Sequence, residues 1–592
     1  MPFDGFVLAA VRHELEDNII GSRIDRVYQP THDSIALNLR QAKDRMRLLL
    51  CAHPSFARIH LFKQPKENPV SPPSFCMVLR KHLEGGRIKK IIQPGLERII
   101  SLEIEAQNEI GQAVTKHLIC EIMGKHSNII LVEVQSRKIT DAIKKYSHVL
   151  SRHREVLPGR IYIPPPTQEK LDTLHMTEKD LFKSLLKRPL DDLLVKCLQS
   201  CLEGFSTTLA NEIIYRTGLP AELALNECGE YELNKIWAAL QEIIIPARQN
   251  SFQPTLVLNR QGKPIEFSAF DLTCFGNQLR KKGSMNDHVE QFYNHQEEDL
   301  RREKERSFLL KTVLKLSGNL SKKLEFQRKY LGQEEKIEQL RISGELIMAN
   351  IHQISRGSVE VSLDNFYDIA GSKADIDLTP ELGPVENAQA YFKKYAKAKR
   401  ASKTAARIEE QTLKELNYLA GIETNLNMAT SDQEISEIKD ELNRQGYLKD
   451  TSGPRRVKTA QKTPQPLAFK LSEGFTALVG KTNRQNDYLI THMAKDNDIW
   501  LHVKDYPGAH VIIRTEKSLS ETPAGVLLEA ACLAAYFSKA RQSKNVAIDY
   551  TLRKYVHKPP GAKPGFVTYT SQRTINVNPD EDAVFKLAEN KK

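Results

Sequence analysis

Between residues 287 and 430 the chain commits itself to long helices, and that stretch limits its other choices. From Asp287 onward it is rich in Glu, Lys, Gln, Arg and Leu, all strong helix formers. Leu309, Val313, Leu316 and Leu320 recur at spacings of four, three and four, which is the seam of a coiled coil. Leu340, Ile347 and Ile354 resume it at intervals of seven. After an interruption Tyr391, Tyr395, Ala398, Ser402 and Ala405 repeat at four, three, four and three. Two arms with a break predict an antiparallel hairpin of about sixty residues per arm, on the order of 90 Å long at ~1.5 Å per residue. Such a rod is a spacer or lever whose two ends touch different things.

The chain of 592 residues is long enough for about four domains. Residues 1–171 have a mixed, strand-rich pattern. Phe6–Ile20 and Ser74–Leu83 are expected helices, the second closed by Gly85-Gly86. Four short β-branched or alternating runs, beginning at Ile35, Arg47, Ile99 and Leu118, are expected strands. Residues 172–249 turn helical, with two apolar helices joined at Gly204 in the manner of a helix-hairpin-helix. A Gly turn of that kind is able to offer backbone N–H groups to a phosphate, although two packed helices explain it equally well. Residues 250–280 carry strands that return the chain to the first domain. The rod region, 285–446, has room for a small middle module, with a strand near Val359–Leu363 and a loop-like Asp375–Pro384. Ser431-Asp-Gln-Glu434 is a capping box for one more helix. A basic Pro-containing linker follows (447–466, with Arg455, Arg456, Lys458 and Lys462), and 467–592 forms a compact α/β module. The expected class is α+β multidomain.

Charge narrows the partners. Lys and Arg number 86 against 74 Asp and Glu, a net +12, and the placement matters more than the total. Residues 391–407 hold Lys393, Lys394, Lys397, Lys399, Arg400, Lys403 and Arg407 with no acid. Residues 536–573 hold eight cations against the single acid Asp549. With Tyr391, Tyr395, Tyr550, Tyr555 and Tyr569 interleaved, these runs suit a phosphate backbone better than a merely solvated face. The eight cysteines make no CxxC pair, and His502 and His510 lack an acid or Cys to complete a metal set, so no metal is expected. Cys197 and Cys201, one helical turn apart, are expected to pack. No basic segment leads into a long apolar run at the N-terminus, which predicts a cytosolic, reduced protein without a membrane span. No GxxxxGK[ST] loop is present, and no cofactor or catalytic residue is expected.

Several stretches, taken in order, resemble the NFACT family. They are Phe3-Asp4-Gly5, Glu121-Ile-Met-Gly-Lys-His-Ser-Asn128, Arg154 with Pro158-Gly159 and Tyr162, and Glu386-Asn-Ala-Gln389 with Tyr395, Lys397 and Lys399. Asp498-Ile-Trp-Leu-His-Val-Lys-Asp-Tyr-Pro-Gly-Ala-His510 and Lys558-Pro-Pro-Gly-Ala-Lys-Pro-Gly565 complete the set. The resemblance implies a glycosylase-like NFACT-N domain, a helix-hairpin-helix, a long antiparallel coiled coil with a middle module, and an NFACT-R RNA-binding domain. The C-terminal domain of eukaryotic members has no counterpart, which points to a bacterial form.

The implied job is ribosome-associated quality control. Such proteins bind large ribosomal subunits obstructed by peptidyl-tRNA and bring alanyl-tRNA (tRNA-Ala) to them. The stalled chain then gains a C-terminal alanine tail that marks it for proteolysis. Ribosomal RNA and a small S4-domain RNA-binding protein are further implied partners. The peptidyl-transferase centre makes the bonds, so the protein is expected not to be an enzyme. Implied tRNA contacts are Asp4, Glu97, Arg98, Lys125, His126 and Asn128. Ribosome contacts are Lys393, Lys394, Lys397, Lys399 and Arg400. Glu97-Arg98 replaces the family's usual Asp-Arg, keeping the charge with one more methylene, and Thr482 stands where many members have Asn. On its residues alone Asp4 is equally a helix N-cap.

Two other classes compete. An N-terminal proline amine is the nucleophile of formamidopyrimidine-type DNA glycosylases, but Phe3 occupies the place of their neighbouring acid, so Pro2 is expected only to permit removal of Met1. A fibronectin-binding surface adhesin, the family's older label, lacks an evident route to the surface here.

Overall fold

The computed structural model describes residues 2–42, 44–108, 110–149, 153–369, 372–448, 463–515, 521–581, 584 and 586–587. Most of the basic linker, including Arg455, Arg456, Lys458 and Lys462, lies outside these residues. The chain divides into two units, Met1–Leu300 and Arg301–Lys592.

The first unit is built on a nine-stranded antiparallel sheet. Its strands are β1 (Arg23–Thr31), β2 (Ser34–Gln41), β3 (Asp44–Cys51), β4 (Arg58–Leu61), β5 (Arg87–Ile92), β6 (Ile99–Gln107), β7 (Ala113–Glu121), β8 (Asn128–Glu133) and β9 (Ile139–Ala142). They lie in the order β4-β3-β2-β1-β5-β6-β7-β8-β9. The alternation of β6 is read directly: Ile100, Leu102 and Ile104 are buried while Glu103 and Glu105 point out. Helix α1 (Gly5–Ile19) and helix α2 (Ser74–Leu83) cover the sheet. Phe3, Phe6, Val7, Leu8 and Val11 join one core with Leu79, Leu83, Ile100 and Leu102.

Four helices follow: α3 (Glu178–Leu185), α4 (Leu194–Cys201), α5 (Thr207–Thr217) and α6 (Glu230–Arg248). Cys197 and Cys201 are buried in the same core as α1. Then a three-stranded sheet returns, β10 (Thr255–Leu258), β11 (Pro264–Ser268) and β12 (Leu279–Lys282), and its Leu256 and Phe267 enter that core too.

Helix α7 (Met285–Leu331) begins in the first unit, where Met285, Val289, Phe292 and Tyr293 are core residues. Its 47 residues extend about 70 Å. The first arm does not run unbroken as its seam predicts. It stops at Leu331, and α8 (Glu334–Ala349) starts afresh after Gly332, a poor helix former. Helix α9 (Pro384–Met428) is the second arm. Leu309 and Val313 pack among Leu419, Ile422 and Leu426, Arg328 pairs with Glu409 at 2.9 Å, and a Cβ on Gly344 would stand 2.9 Å from Phe392. These contacts run in opposite directions along the two arms. Between the arms β13 (Glu360–Asp364) pairs with β14 (Lys373–Asp377). The second strand corrects the loop expected there: Asp375 and Asp377 are poor strand formers, and cross-strand pairing overrides them.

Helix α10 (Asp432–Arg444) opens on the expected capping box, with Ser431 Oγ accepting from Glu434 N at 3.3 Å. The final module has six antiparallel strands, β15 (Leu467–Lys470), β16 (Thr476–Gly480), β17 (Ile499–Val503), β18 (His510–Arg514), β19 (Val546–Leu552) and β22 (Arg573–Val577), in the order β15-β16-β18-β17-β19-β22. A separate pair, β20 (Val556–His557) and β21 (Thr568–Tyr569), lies between the last two in sequence. Helix α11 (Asn483–Tyr488) follows β16, and helix α12 (Ala524–Tyr536) packs on one face through Val526, Ala530 and Leu533. Trp500 is buried on the other face with Leu489, Ile490 and Val556.

Candidate nucleic-acid interface

Three chain segments converge where α1 and α5 begin. Asp4 caps α1, its Oδ1 accepting from Val7 N at 2.9 Å, and its Oδ2 accepts from Ser206 Oγ at 2.7 Å. Ser206 in turn caps α5, accepting from Leu209 N at 3.2 Å. Both helix N-termini therefore point their free N–H groups at one place. Gly5 N donates to Gly204 O at 3.1 Å, and this closeness requires glycine: a Cβ on Gly5 would stand 2.0 Å from Leu96 O. Gly204, at φ +81°, would drive its own Cβ to 2.7 Å from Leu96 Cβ. The Gly204 turn is thus spent on the chain's own N-terminus.

The third segment is a turn closed by Glu97 N donating to Pro94 O at 3.0 Å. Gln93 Nε2 ties it down, donating to Gly5 O at 3.1 Å and Glu97 O at 3.0 Å. Leu96 N donates to Glu203 Oε1 at 3.2 Å.

These segments enclose a cavity of about 220 Å³ lined by Asp4, Glu97, Arg98, Met123, Lys170, Glu203 and Thr207, among others. Burial pushes the Asp4 carboxyl up to about 6, with Ser206, Val7 N and the Arg98 charge opposing. Burial also raises Glu203, with the nearby Glu97 adding to it, and lowers Lys170. Lys170 Nζ donates to Gln199 O at 2.9 Å. The side chains of Glu97 and Arg98, half-buried, have no partner among the described residues. A carboxylate in such a cavity accepts from amino or hydroxyl donors, and an unpaired guanidinium forks onto acceptors or phosphate.

Of the residues expected to meet tRNA, Asp4, Glu97 and Arg98 come together here. Lys125 and His126 lie exposed on the turn Gly124–His126, which starts next to the cavity residue Met123. Asn128 is different. It is fully buried, its Oδ1 accepting from Lys144 N at 3.0 Å and its Nδ2 donating to Lys144 O at 2.9 Å. Every hydrogen-bonding group of its amide but one serves the backbone, so it presents nothing to a ligand and instead pins the turn. Glu121, Arg154 and Tyr162 frame the same region: Arg154 reaches Glu121 at 2.7 and 2.5 Å, and Tyr162 OH donates to Glu121 Oε1 at 2.9 Å. Ser206, Glu203 and Lys170 escaped the sequence reading. Ser206 carried a signal, an N-cap Ser ahead of a helical run, whereas Glu203 and Lys170 are brought in by folding alone.

In the second unit Lys393, Lys394, Lys397, Lys399 and Arg400 are all exposed on α9. Lys394 lies 5.1 Å from the centre of the Tyr391 ring, and Lys399 donates to Tyr395 OH at 2.9 Å. His502 and His510 stand 5.3 Å apart, edge to face, beside Trp500.

The chain matches the family model "NFACT N-terminal and middle domains" over residues 4–462 and "NFACT protein RNA binding domain" over 465–570. It belongs to the NFACT family. It is 38% identical to the Rqc2 homolog RqcH of Bacillus subtilis (strain 168), covering 99% of this chain and 100% of that one. It is 35% identical to the Rqc2 homolog RqcH of Streptococcus pneumoniae serotype 2, again over 99% and 100%. The N-terminal structure of the fibronectin/fibrinogen-binding protein from Streptococcus suis is 31% identical, covers 49% of this chain and 99% of its own, and superposes with a TM-score of 0.41. Among the described residues no helix is long and apolar enough to cross a membrane.

Proposed function

We propose that this protein is a cytoplasmic, ribosome-associated quality control factor. It binds large ribosomal subunits obstructed by peptidyl-tRNA and recruits alanyl-tRNA, so that the stalled chain gains a C-terminal alanine tail. The full-length relatives named Rqc2 homolog RqcH, and the mouse relative named ribosome quality control complex subunit NEMF (24% identical over 59% of this chain), support the ribosomal setting. The carrying observation is the pair Glu97 and Arg98, unpaired at the cavity that holds Asp4. Acceptors and a fork suit base edges and 2′-hydroxyls of single-stranded RNA, such as a tRNA loop. Lys125 and His126 extend that surface.

In this reading the protein positions RNA and the ribosome makes the peptide bond, so it is not an enzyme. The exposed Lys393–Arg400 face of α9 meets ribosomal RNA, and a small S4-domain protein joins the assembly. The first unit is a glycosylase-like scaffold with α4 and α5 as its helix-hairpin-helix. The arms α7, α8 and α9 form an antiparallel coiled coil, a reading supported by the Leu309–Ile422 and Gly344–Phe392 neighbourhoods.

The test pairs sedimentation with the mass of a stalled reporter's tail. A triple variant, Asp4→Ala with Glu97→Ala and Arg98→Ala, should stop alanine tailing and keep its association with large subunits. Each lost charge-assisted contact costs about 1.5–3 kcal/mol, roughly ten- to a hundredfold in affinity. Full tailing by this variant, or detection of the protein on intact cells rather than on ribosomal particles, would overturn the reading.

A further inference from the structure

A second, larger hollow shares a wall with the Asp4 cavity. It has a volume of about 610 Å³, and Leu96 lines both spaces. The charge balance of its lining differs from that of its neighbour. The Asp4 side holds three carboxylates, Asp4, Glu97 and Glu203, with the cations Arg98 and Lys170; this side presents Arg12, Lys90 and Arg248, with Glu16 as the acid beside them. Glu16 is already spent, accepting from Arg12 Nη1 at 2.6 Å, while Arg12 Nη2 donates to Asn250 Oδ1 at 3.2 Å. Arg248 donates through Nε to Leu174 O, which fixes the side chain and leaves its two terminal nitrogens without a partner among the described residues. Lys90 is exposed within β5, and its ammonium likewise has no partner among the described residues. Phe252, half-buried and tilted against Phe270, supplies an apolar wall.

We infer that this groove seats one nucleotide of the same RNA strand that places a base in the Asp4 cavity. Its phosphate lies on Lys90 and Arg248, and its sugar or base lies against Phe252. The inference rests on the RNA reading above and extends it to the other side of the 93–97 turn. Across Leu96 the lining changes from acid-rich to predominantly cationic. A nucleic-acid strand offers donors on its bases and anions on its backbone, and here three carboxylates stand on one side of Leu96 while the unpaired Lys90 and Arg248 stand on the other. Two unpaired cations and an aromatic face make a phosphate-and-stacking seat. The hollow is too roomy for phosphate alone.

The test measures binding of in-vitro-transcribed alanine tRNA to the full-length protein across a range of salt. Lys90→Glu with Arg248→Gln should weaken binding roughly tenfold at physiological salt and lower the slope of log affinity against log salt by about 1–2, since each phosphate contact contributes about one to that slope. Lys90→Glu alone, at an exposed position, should show about half the slope change and an unchanged melting temperature. Asp4→Asn should weaken binding with the slope unchanged, because a base contact releases no counterion. Affinity and slope equal to those of the unaltered protein in the double variant would overturn the groove while leaving the Asp4 cavity standing. AMP binding that the double variant abolishes, with tRNA affinity untouched, would make it a free-nucleotide site and overturn the proposal. No tRNA binding by the unaltered protein would overturn the RNA reading and the groove together.

Discussion

Each unit gathers carboxylates into one small volume, with opposite results. In the first unit Asp4, Glu97 and Glu203 surround an open cavity, and Glu97 keeps its oxygens unclaimed. In the second, α10 buries Glu434, Glu437 and Glu441 against α11, and nearly every oxygen is taken. Glu434 pairs with Lys481 at 2.8 Å, both nearly inaccessible, and also accepts from Thr430 N at 2.7 Å. Glu437 Oε2 accepts from Thr482 Oγ1 at 2.9 Å and Gln485 Nε2 at 3.1 Å. Glu441 Oε1 accepts from Tyr418 OH at 2.6 Å and Asn483 Nδ2 at 2.9 Å. In the first cluster folding leaves oxygens unpaired beside a cavity; in the second, donors close on them and the cluster becomes a fastening. The second cluster also gives Thr482 a role: it caps α11 while donating to α10.

The largest effect should come from opening the closed cluster. Lys481→Met strands Glu434 without its cation in a buried site, which costs about 3–5 kcal/mol. Chemical denaturation should register that loss in the second unit. A loss under about 1 kcal/mol would mean that water reaches the pair and the cluster is not closed.

A smaller effect concerns Glu441, whose carboxyl burial raises from 4.5 to about 7. The folded protein then holds a proton that the unfolded chain has released, so stability falls as pH rises between those two values. Glu441→Gln removes the buried charge. It should flatten that slope and leave the variant more stable at pH 8 by on the order of 1–3 kcal/mol. Unfolding curves collected across this pH range, with parallel profiles for both proteins, would contradict the assignment.

The smallest stability effect belongs to the open cavity. Asp4→Asn preserves a capping oxygen, and Asn caps helices about as well as Asp, so stability should change by less than about 1 kcal/mol. RNA binding should respond far more. In the unaltered protein Asp4 gains its proton as pH falls through about 6, converting an acceptor into a donor, and affinity should drop there. The Asn variant should bind weakly at every pH. A retained pH step in the variant, followed by fluorescence anisotropy with labelled tRNA, would assign the titration to another group.

The sequence by itself determined the helical arms, because heptad spacing and helix propensity act between residues a turn or two apart. It also determined α1, α2 and the capping box at Ser431. The family motifs brought Asp4, Glu97 and Arg98 to attention, and the reading of Asp4 as an N-cap holds together with its place in the cavity. Tertiary structure alone decided which partners those residues meet. Glu203 and Lys170 stand far in sequence from Asp4, and nothing local marks them. Asn128 sits in the same motif as Lys125 and His126, yet its amide is consumed by Lys144. Strand β14 forms against the preference of its own residues. In each case the outcome depends on whether a polar group finds its partner across the fold or is left facing a cavity. That balance is settled by long-range packing and desolvation, which no local pattern of residues encodes.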